Sequence, residues 1–227
     1  MANTKQTQGE CACCGTRTTR GGMSRHLRAC AGRAEAIRKA DAEPGPDTTL
    51  LHLVVRDAWA GHYWLHLEMD GAATLQTLDQ YLRAIWLECC GHMSRFSAER
   101  YGTPDLPMSR RAERVLAEGA SLMHVYDFGD SSETQVSVAG ARKGKRTTPH
   151  PIALMARNVA PPAPCMECER QAAWICMECQ AEHEASGLLC EAHVQGHPHE
   201  EYGDPLALVN SPRTGMCAYD GPSEPPY

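Results

Sequence analysis

Large aromatic side chains are scarce here: phenylalanine occurs only twice in 227 residues. A core so thin in bulky apolar groups leans on a second source of stability. No apolar run approaches the ~18 residues that a membrane-spanning helix needs, and the opening MANTKQTQGE has no apolar signal segment. Both absences predict a cytoplasmic protein without a membrane partner. Also missing are a P-loop, a dinucleotide fingerprint, a G-x-S-x-G elbow and an H-E-x-x-H motif. No catalytic residue is therefore assigned. What the chain has instead is 12 cysteines and 11 histidines. In a reducing compartment that inventory points to metal rather than to disulfides.

The densest stretch is Cys165–His199, CMECERQAAWICMECQAEHEASGLLCEAHVQGHPH. Paired donors two residues apart suit tetrahedral zinc, because one short turn presents both to the same ion. There are three such pairs, Cys165/Cys168, Cys176/Cys179 and Cys190/His193, followed by His197 and His199. That exceeds one four-coordinate shell and predicts two ions. The ligand order is similar, in spacing only, to a cross-braced B-box. Cross-bracing assigns Cys165, Cys168, Cys190 and His193 to one ion and Cys176, Cys179, His197 and His199 to the other. His183 and Cys217 compete for the second site, Cys217 ranking just below His199. Trp174, Ile175, Leu188 and Leu189 are expected to pack between the sites. The stiff spacer APPAP sets this module, residues 162–222, apart from what precedes it.

A second metal module is expected over residues 1–40. Cys11-x-x-Cys14 is followed by His26 and Cys30, which lie one helical turn apart on a helix beginning near Ser24. The pattern resembles a Cys-Cys-His-Cys zinc finger, with Met23 and Leu27 as its small core. Cys13 is read as a spectator, with Cys11/Cys13 left open as the pair. A segment of ~40 residues cannot fold on apolar burial alone, and a structural zinc contributes roughly 10–16 kcal/mol in such peptides. The expected total is about three zinc ions per chain, all structural.

This end is also basic. Lys5, Arg17, Arg20, Arg25, Arg28, Arg33, Arg38 and Lys39 face only Glu10 and Glu35, on a chain of formal net charge −6. A basic end on an acidic protein suggests an anionic partner, DNA or RNA. Arg20, Arg25, Arg28 and Arg33 surround the expected helix and are the candidate phosphate contacts. A solvated helix face is the competing reading.

Between the modules, after the linker ADAEPGPDT, residues 48–158 read as one α+β domain. Strands are expected at Leu50–Arg56 and Tyr63–Met69, the second with one face buried. Thr74 caps a helix carrying Leu75, Leu78, Leu82, Ile85 and Trp86 at helical spacing. A strand near His92–Ala98, a helix from Ser109 to about Glu118, a hairpin of Leu122–Phe128 with Thr134–Val138, and a last strand Ile152–Val159 complete the expectation.

The run YDFGD (Tyr126–Asp130), after a β-β-α start with a Thr-Leu-led helix, resembles the Ri-plasmid ORF-3-like family of insertion-element passenger proteins. The resemblance covers residues 48–158 and implies a compact α+β domain without an established activity. This chain departs from the family's pattern at Ser131-Ser132-Glu133 and at Glu88-Cys89-Cys90-Gly91-His92-Met93-Ser94. It resembles a sub-branch with zinc modules at both ends and a closing NSPRTGMCAYDG.

Two functional classes follow. The favoured one is a non-enzymatic zinc-binding adaptor, its finger meeting nucleic acid and its C-terminal module meeting protein. Pure protein–protein interaction is a variant of it. The other is a metal-dependent nuclease or hydrolase using Asp127, Asp130 and His124. Against the second stands a structural reading of YDFGD: Tyr126 and Phe128 in the core, Gly129 at positive φ and the aspartates capping the turn. Cys89-Cys90 reads as a buried pair at a helix end.

Overall fold

The computed structural model describes residues 7–199 and 201–227; Lys5 of the basic end lies outside the described residues. Strands β1 (Gln8–Cys11) and β2 (Arg17–Thr19) lead into helices α1 (Arg20–Ala29) and α2 (Ala31–Ala42). The long strands β3 (Thr48–Asp57) and β4 (Trp64–Asp70) follow, then α3 (Leu75–Leu82), which widens into a π-helical turn over Arg83–Leu87. Next come β5 (Ser94–Ser97), β6 (Asp105–Leu106), β7 (Ser121–Tyr126), β8 (Ser132–Gly144) and β9 (Ile152–Asn158). A small module holds β10 (Trp174–Ile175), α4 (Met177–Glu182), β11 (Leu188–Leu189), α5 (Glu191–Val194) and β12 (Leu206–Ala207). The fold is α+β, as the sequence predicts.

Strands β1 to β9 form one antiparallel sheet in the order β2-β1-β9-β4-β3-β8-β7-β5-β6. On one face Leu53, Val55, Leu65, Leu67 and Met69 pack with Leu75, Leu78, Ile85 and Trp86 of α3 and its π-helical turn. Thr74 starts α3 as expected, its hydroxyl accepting from the Thr77 amide. The residues predicted as a helix over Ser109–Glu118 form only a 3-10 turn, Ala112–Arg114. Their backbone is engaged elsewhere: the carbonyls of Met108 and Arg110 accept from Gln76 and Leu75, and the Ala112 amide donates to Ala73. Satisfying the free amides at the start of α3 outweighs local helix propensity.

The other face differs from expectation as well. β4 is buried on both sides, Trp64, His66 and Glu68 included. What covers them is the N-terminal segment. β1 pairs with β9 in register, Gly9 opposite Asn158, so the finger extends the main sheet. Met23 and Leu27 of α1 pack on Trp64, Met155 and Ala156. Gly9 is required at this junction, since a Cβ there would come within 2.3 Å of the Arg157 carbonyl and of the Trp64 ring. Beneath the helices, Glu68 accepts from Arg33 at 2.9 Å and from Arg142 at 2.7 Å.

Residues 208–227 return to the central sheet. Asn210 and Asn158 exchange amide hydrogen bonds at 2.8 Å, and the Ser211 hydroxyl donates to the Trp86 carbonyl at 2.6 Å. Arg213 is fully buried, Tyr219 is buried, and the Tyr227 ring stacks on His150 at 4.1 Å. Among the described residues, no helix is long and apolar enough to cross a membrane.

His52 and His66 meet under this N-terminal cover, nitrogen to nitrogen at 2.8 Å. Burial pushes His52 down to about 4, with Arg33 and Arg28 acting in the same direction against Glu68. Burial, then the neighbouring His52, pushes His66 down to about 3. The unfolded chain takes up protons at these positions below about pH 6.5, whereas the folded chain does not. Their contribution to stability is therefore whole above pH 6.5 and is lost as pH falls toward 4, on the order of 3 kcal/mol for each histidine. Urea midpoints measured between pH 7 and 4.5 should fall more gently for His52→Gln than for the native chain; parallel curves would contradict this origin.

Candidate metal centres

The N-terminal centre begins with a knuckle. β1 ends at Cys11, whose carbonyl accepts from the Gly15 amide at 2.8 Å, and Gly15 takes φ +71°. This turn brings Cys14 back beside Cys11. Thr19 caps α1 through its hydroxyl, which fixes the helix phase that directs His26 at the knuckle. Cys30 follows at the junction of α1 and α2. Cys11, Cys14, His26 and Cys30 offer ligand atoms that all lie within 4.8 Å of one another, and Cys13 is outside this set. Cys14 Sγ lies 3.2 Å from His26 Nε2 and 3.6 Å from Cys30 Sγ, and Cys11 Sγ lies 4.0 Å from Cys30 Sγ. Metal–sulfur bonds near 2.3 Å give a tetrahedron with S···S edges of about 3.8 Å, so the donors fit an ion of zinc's size. Burial pushes the Cys11 thiol up to about 12, which a cation has to offset. The Thr16 hydroxyl and amide pull Cys14 down to about 6, toward the thiolate that a metal takes.

In the C-terminal module the donors fall into two groups of four. One set is Cys165, Cys168, Cys190 and His193; the other is Cys176, Cys179, His197 and His199. In the first, His193 Nδ1 lies 3.3 Å from Cys165 Sγ and 3.6 Å from Cys190 Sγ, with Cys168 and Cys190 3.9 Å apart. In the second, Cys179 Sγ lies 3.3 Å from His197 Nε2 and 3.0 Å from His199 Nδ1, and Cys176 Sγ 3.7 Å from the latter. Cys176 also caps α4, its sulfur accepting from the Cys179 amide. Strand β10 pairs with β11 on one side and β12 on the other, and Leu189 and Trp174 pack against Cys176 and Cys179. His183 stands just beside the second set, its ring stacked on His199 at 4.5 Å, and forms with Glu178 and His199 an overlapping group.

Cys217 does not compete for that site. The tail carries it back to the central sheet, beside Cys89, Cys90 and His92. Those three were not expected to act with it, because more than a hundred residues separate them. Cys89 is half-buried and Cys90 exposed, so they are not the buried pair expected at a helix end.

The YDFGD turn agrees with the structural reading in part. Tyr126 is in the core, and Asp127 Oδ1 accepts from the Gly129 amide at 2.9 Å and the Asp130 amide at 3.3 Å. Phe128 instead lies half exposed, with the Arg95 guanidinium 6.0 Å from its ring centroid. The left-handed residue is Asp127 (φ 65°), not Gly129. Aspartate tolerates that region because its short carboxylate bonds locally to its own turn.

Of the residues of the hydrolase reading, His124 and Asp127 are committed elsewhere and Asp130 is exposed. His124 is fully buried, with Nε2 2.8 Å from Asp79 Oδ1 and Nδ1 3.3 Å from Thr134 Oγ1. Asp127 Oδ2 accepts from Arg213 at 2.7 Å, and Glu133 is paired with Arg100 at 2.6 Å. No metal-ligating cluster among the described residues contains Asp127, Asp130 or His124. Of the four candidate phosphate contacts, Arg25 and Arg28 are exposed on α1, whereas Arg33 is occupied by Glu68. Arg20 lines a cleft of about 180 Å³ with Arg56, His62 and Trp64.

No protein-family model matches the chain, and no curated protein does. A crystal structure of a protein of unknown function from Methanosarcina mazei Go1 aligns over 46% of this chain and 67% of its own, at 13% identity and a TM-score of 0.40. That likeness is too slight to carry an argument.

The C-terminal sites make a testable unit. Cys168→Ser should lower bound metal by about one ion per chain and expose residues 165–199 to limited proteolysis, while the thermal transition of the main sheet stays in place. Metal content equal to the native chain's would remove Cys168 from the ligand set.

Proposed function

We propose that the chain is a zinc-stabilised adaptor with no active site of its own. The observation that carries this is closure: each terminal cluster offers four Cys/His donors around one point. A catalytic zinc keeps a position for water or substrate, and a closed thiolate shell does not. Zinc is the metal best suited to mixed thiolate and imidazole donors in tetrahedral array. The engagement of His124 with Asp79 and of Asp127 with Arg213 weighs against the hydrolase reading.

In this reading the finger meets nucleic acid. Its inner face, Met23 and Leu27, is spent on the sheet, which leaves Arg25 and Arg28 outward as i, i+3 neighbours. Arg20, beside Arg56 in their shared cleft, supplies a third contact for phosphate. Such contacts give affinity without reading sequence. The C-terminal module is the protein-docking end, held by short strands and two ions that leave its outer surface free for a partner. The central domain is read as Ri-plasmid ORF-3-like on the strength of YDFGD, a scaffold that joins the two ends.

The test is the triple variant Arg20→Glu/Arg25→Glu/Arg28→Glu, with DNA and RNA retention followed against salt. Loss of three phosphate contacts should flatten the log–log salt slope by roughly 2–3. Retention unchanged at low salt would defeat the nucleic-acid half and favour the purely protein-binding adaptor.

A further inference from the structure

We propose that Cys89, Cys90, His92 and Cys217 form a fourth metal centre, a surface latch for a zinc-like divalent ion that fastens the C-terminal tail to the central domain. The four ligand atoms lie within 4.8 Å of one another. Cys90 Sγ is 3.6 Å from Cys89 Sγ, 3.5 Å from Cys217 Sγ and 3.0 Å from His92 Nε2; Cys217 Sγ is 3.5 Å from His92 Nε2. These edges are close to those of a tetrahedron drawn with metal–sulfur bonds near 2.3 Å and metal–nitrogen bonds near 2.0 Å. Three thiolates and an imidazole suit zinc, or cobalt in its place, far better than magnesium or calcium.

The surroundings are built for these donors. On the loop side, the Tyr126 hydroxyl accepts from the amides of Cys89 at 3.4 Å and His92 at 3.3 Å, and donates to Glu88 Oε1 at 3.1 Å. Glu88 Oε1 also accepts from the Gly91 amide at 2.6 Å, where the chain turns at φ +81°. The short Cys-Cys-Gly-His segment is thereby held as a knuckle.

On the tail side, Cys217 (φ 51°) and Ala218 (φ 55°) are consecutive non-glycine residues in the left-handed region. Such backbone persists only where neighbouring interactions hold it. The amides of Gly215 and Tyr219 close the turn around them through bonds to the Tyr219 and Met216 carbonyls. The result points the Cys217 sulfur at the knuckle.

Charge is provided for too. Three thiolates on a divalent ion leave one excess negative charge, and the buried Arg213 guanidinium lies 3.3 Å from Cys89 Sγ. Asp127 Oδ2, 3.4 Å from His92 Nε2, is already taken by Arg213 at 2.7 Å, so the Cys/His set closes the shell. Unlike each terminal set, this one has two exposed thiols, Cys90 and Cys217. Its ion is accordingly the one most open to exchange. Because Cys217 lies more than a hundred residues from the other three ligands, losing the ion releases the turn around Cys217 rather than unfolding a module.

The test uses the full chain purified under reducing conditions with zinc present. Cys90→Ser and Cys217→Ser should each lower bound zinc by one ion per chain, whereas Cys13→Ser, outside every cluster, should not. On the native chain, cobalt should titrate to four equivalents with a tetrahedral thiolate spectrum, and a chromogenic chelator should remove one equivalent well before the rest. Zinc content unchanged in both latch variants, cobalt saturation at three equivalents, or a Cys90–Cys217 disulfide in place of the ion would each overturn the proposal. Should both variants fail to fold, the cobalt stoichiometry of the native chain decides.

Discussion

The placement of the C-terminal tail depends on one buried cation. Arg213 has no exposed side-chain surface, yet its guanidinium reaches the Asp127 carboxylate, the Asp130 carbonyl and the Ser132 hydroxyl, and lies 4.9 Å from the centre of the Tyr126 ring. Desolvating a guanidinium costs several kcal/mol, and only a partner with good geometry offsets it. That partner is a carboxylate whose own residue is in left-handed backbone and whose other oxygen holds the turn. Arginine, aspartate and turn therefore form together or not at all. Removing one member of such a pair typically costs about 3–5 kcal/mol. The tail is consequently part of the central fold and not an extension of the C-terminal module.

Around that pair the YDFGD turn has a plain structural use. Tyr126 positions the amides of Cys89 and His92 while Asp127 receives Arg213. A cluster of acidic groups near a histidine looks catalytic in sequence, but here Asp127 and His124 face different partners and Asp130 is exposed. His124 turns into the core against Phe96, with ring centroids 4.7 Å apart, and bonds to Asp79. Adjacent residues on a strand point to opposite faces, so closeness in sequence at YDFGD says little about convergence in space.

The same physics explains which features were legible in the sequence. Cys11/Cys14, Cys165/Cys168 and Cys176/Cys179 are local, since a turn of four residues determines where both sulfurs point, and each pair lies within one cluster of four Cys/His donors. The amphipathic α3 and the hairpin of β7 with β8 are likewise local patterns. What escaped was non-local. The polar face of β4 reads as solvent-facing because nothing in Trp64, His66 or Glu68 announces that α1 and α2 will cover it. Glu68 finds its counter-ions at Arg33 and Arg142, far away along the chain, and one of these looked free for phosphate. Cys217 had no close partner in sequence, so it was matched to the nearest cluster along the chain. The one available clue was Cys89-Cys90-Gly-His92, a donor-rich run lacking a fourth ligand.

A thin core can be stable when its few apolar layers are backed by cross-links that span the chain. α3 covers one face of the sheet, and the N-terminal Cys/His finger covers the other with a small cluster of Cys11, Met23, Leu27 and Cys30. Cys11 belongs to both systems, ending a strand paired with β9 and starting the ligand knuckle. The finger is thus unable to tilt as an independent domain would. Arg25 and Arg28 stand exposed on α1, on a platform whose orientation the main sheet sets. At the opposite end of the chain the tail is fixed by Arg213, and the cross-braced module sits between that anchor and β9. The N-terminal module is therefore continuous with the central sheet through β1 and β9, whereas the C-terminal module is tied to that sheet only at its two ends, by β9 before it and by the Arg213 anchor after it.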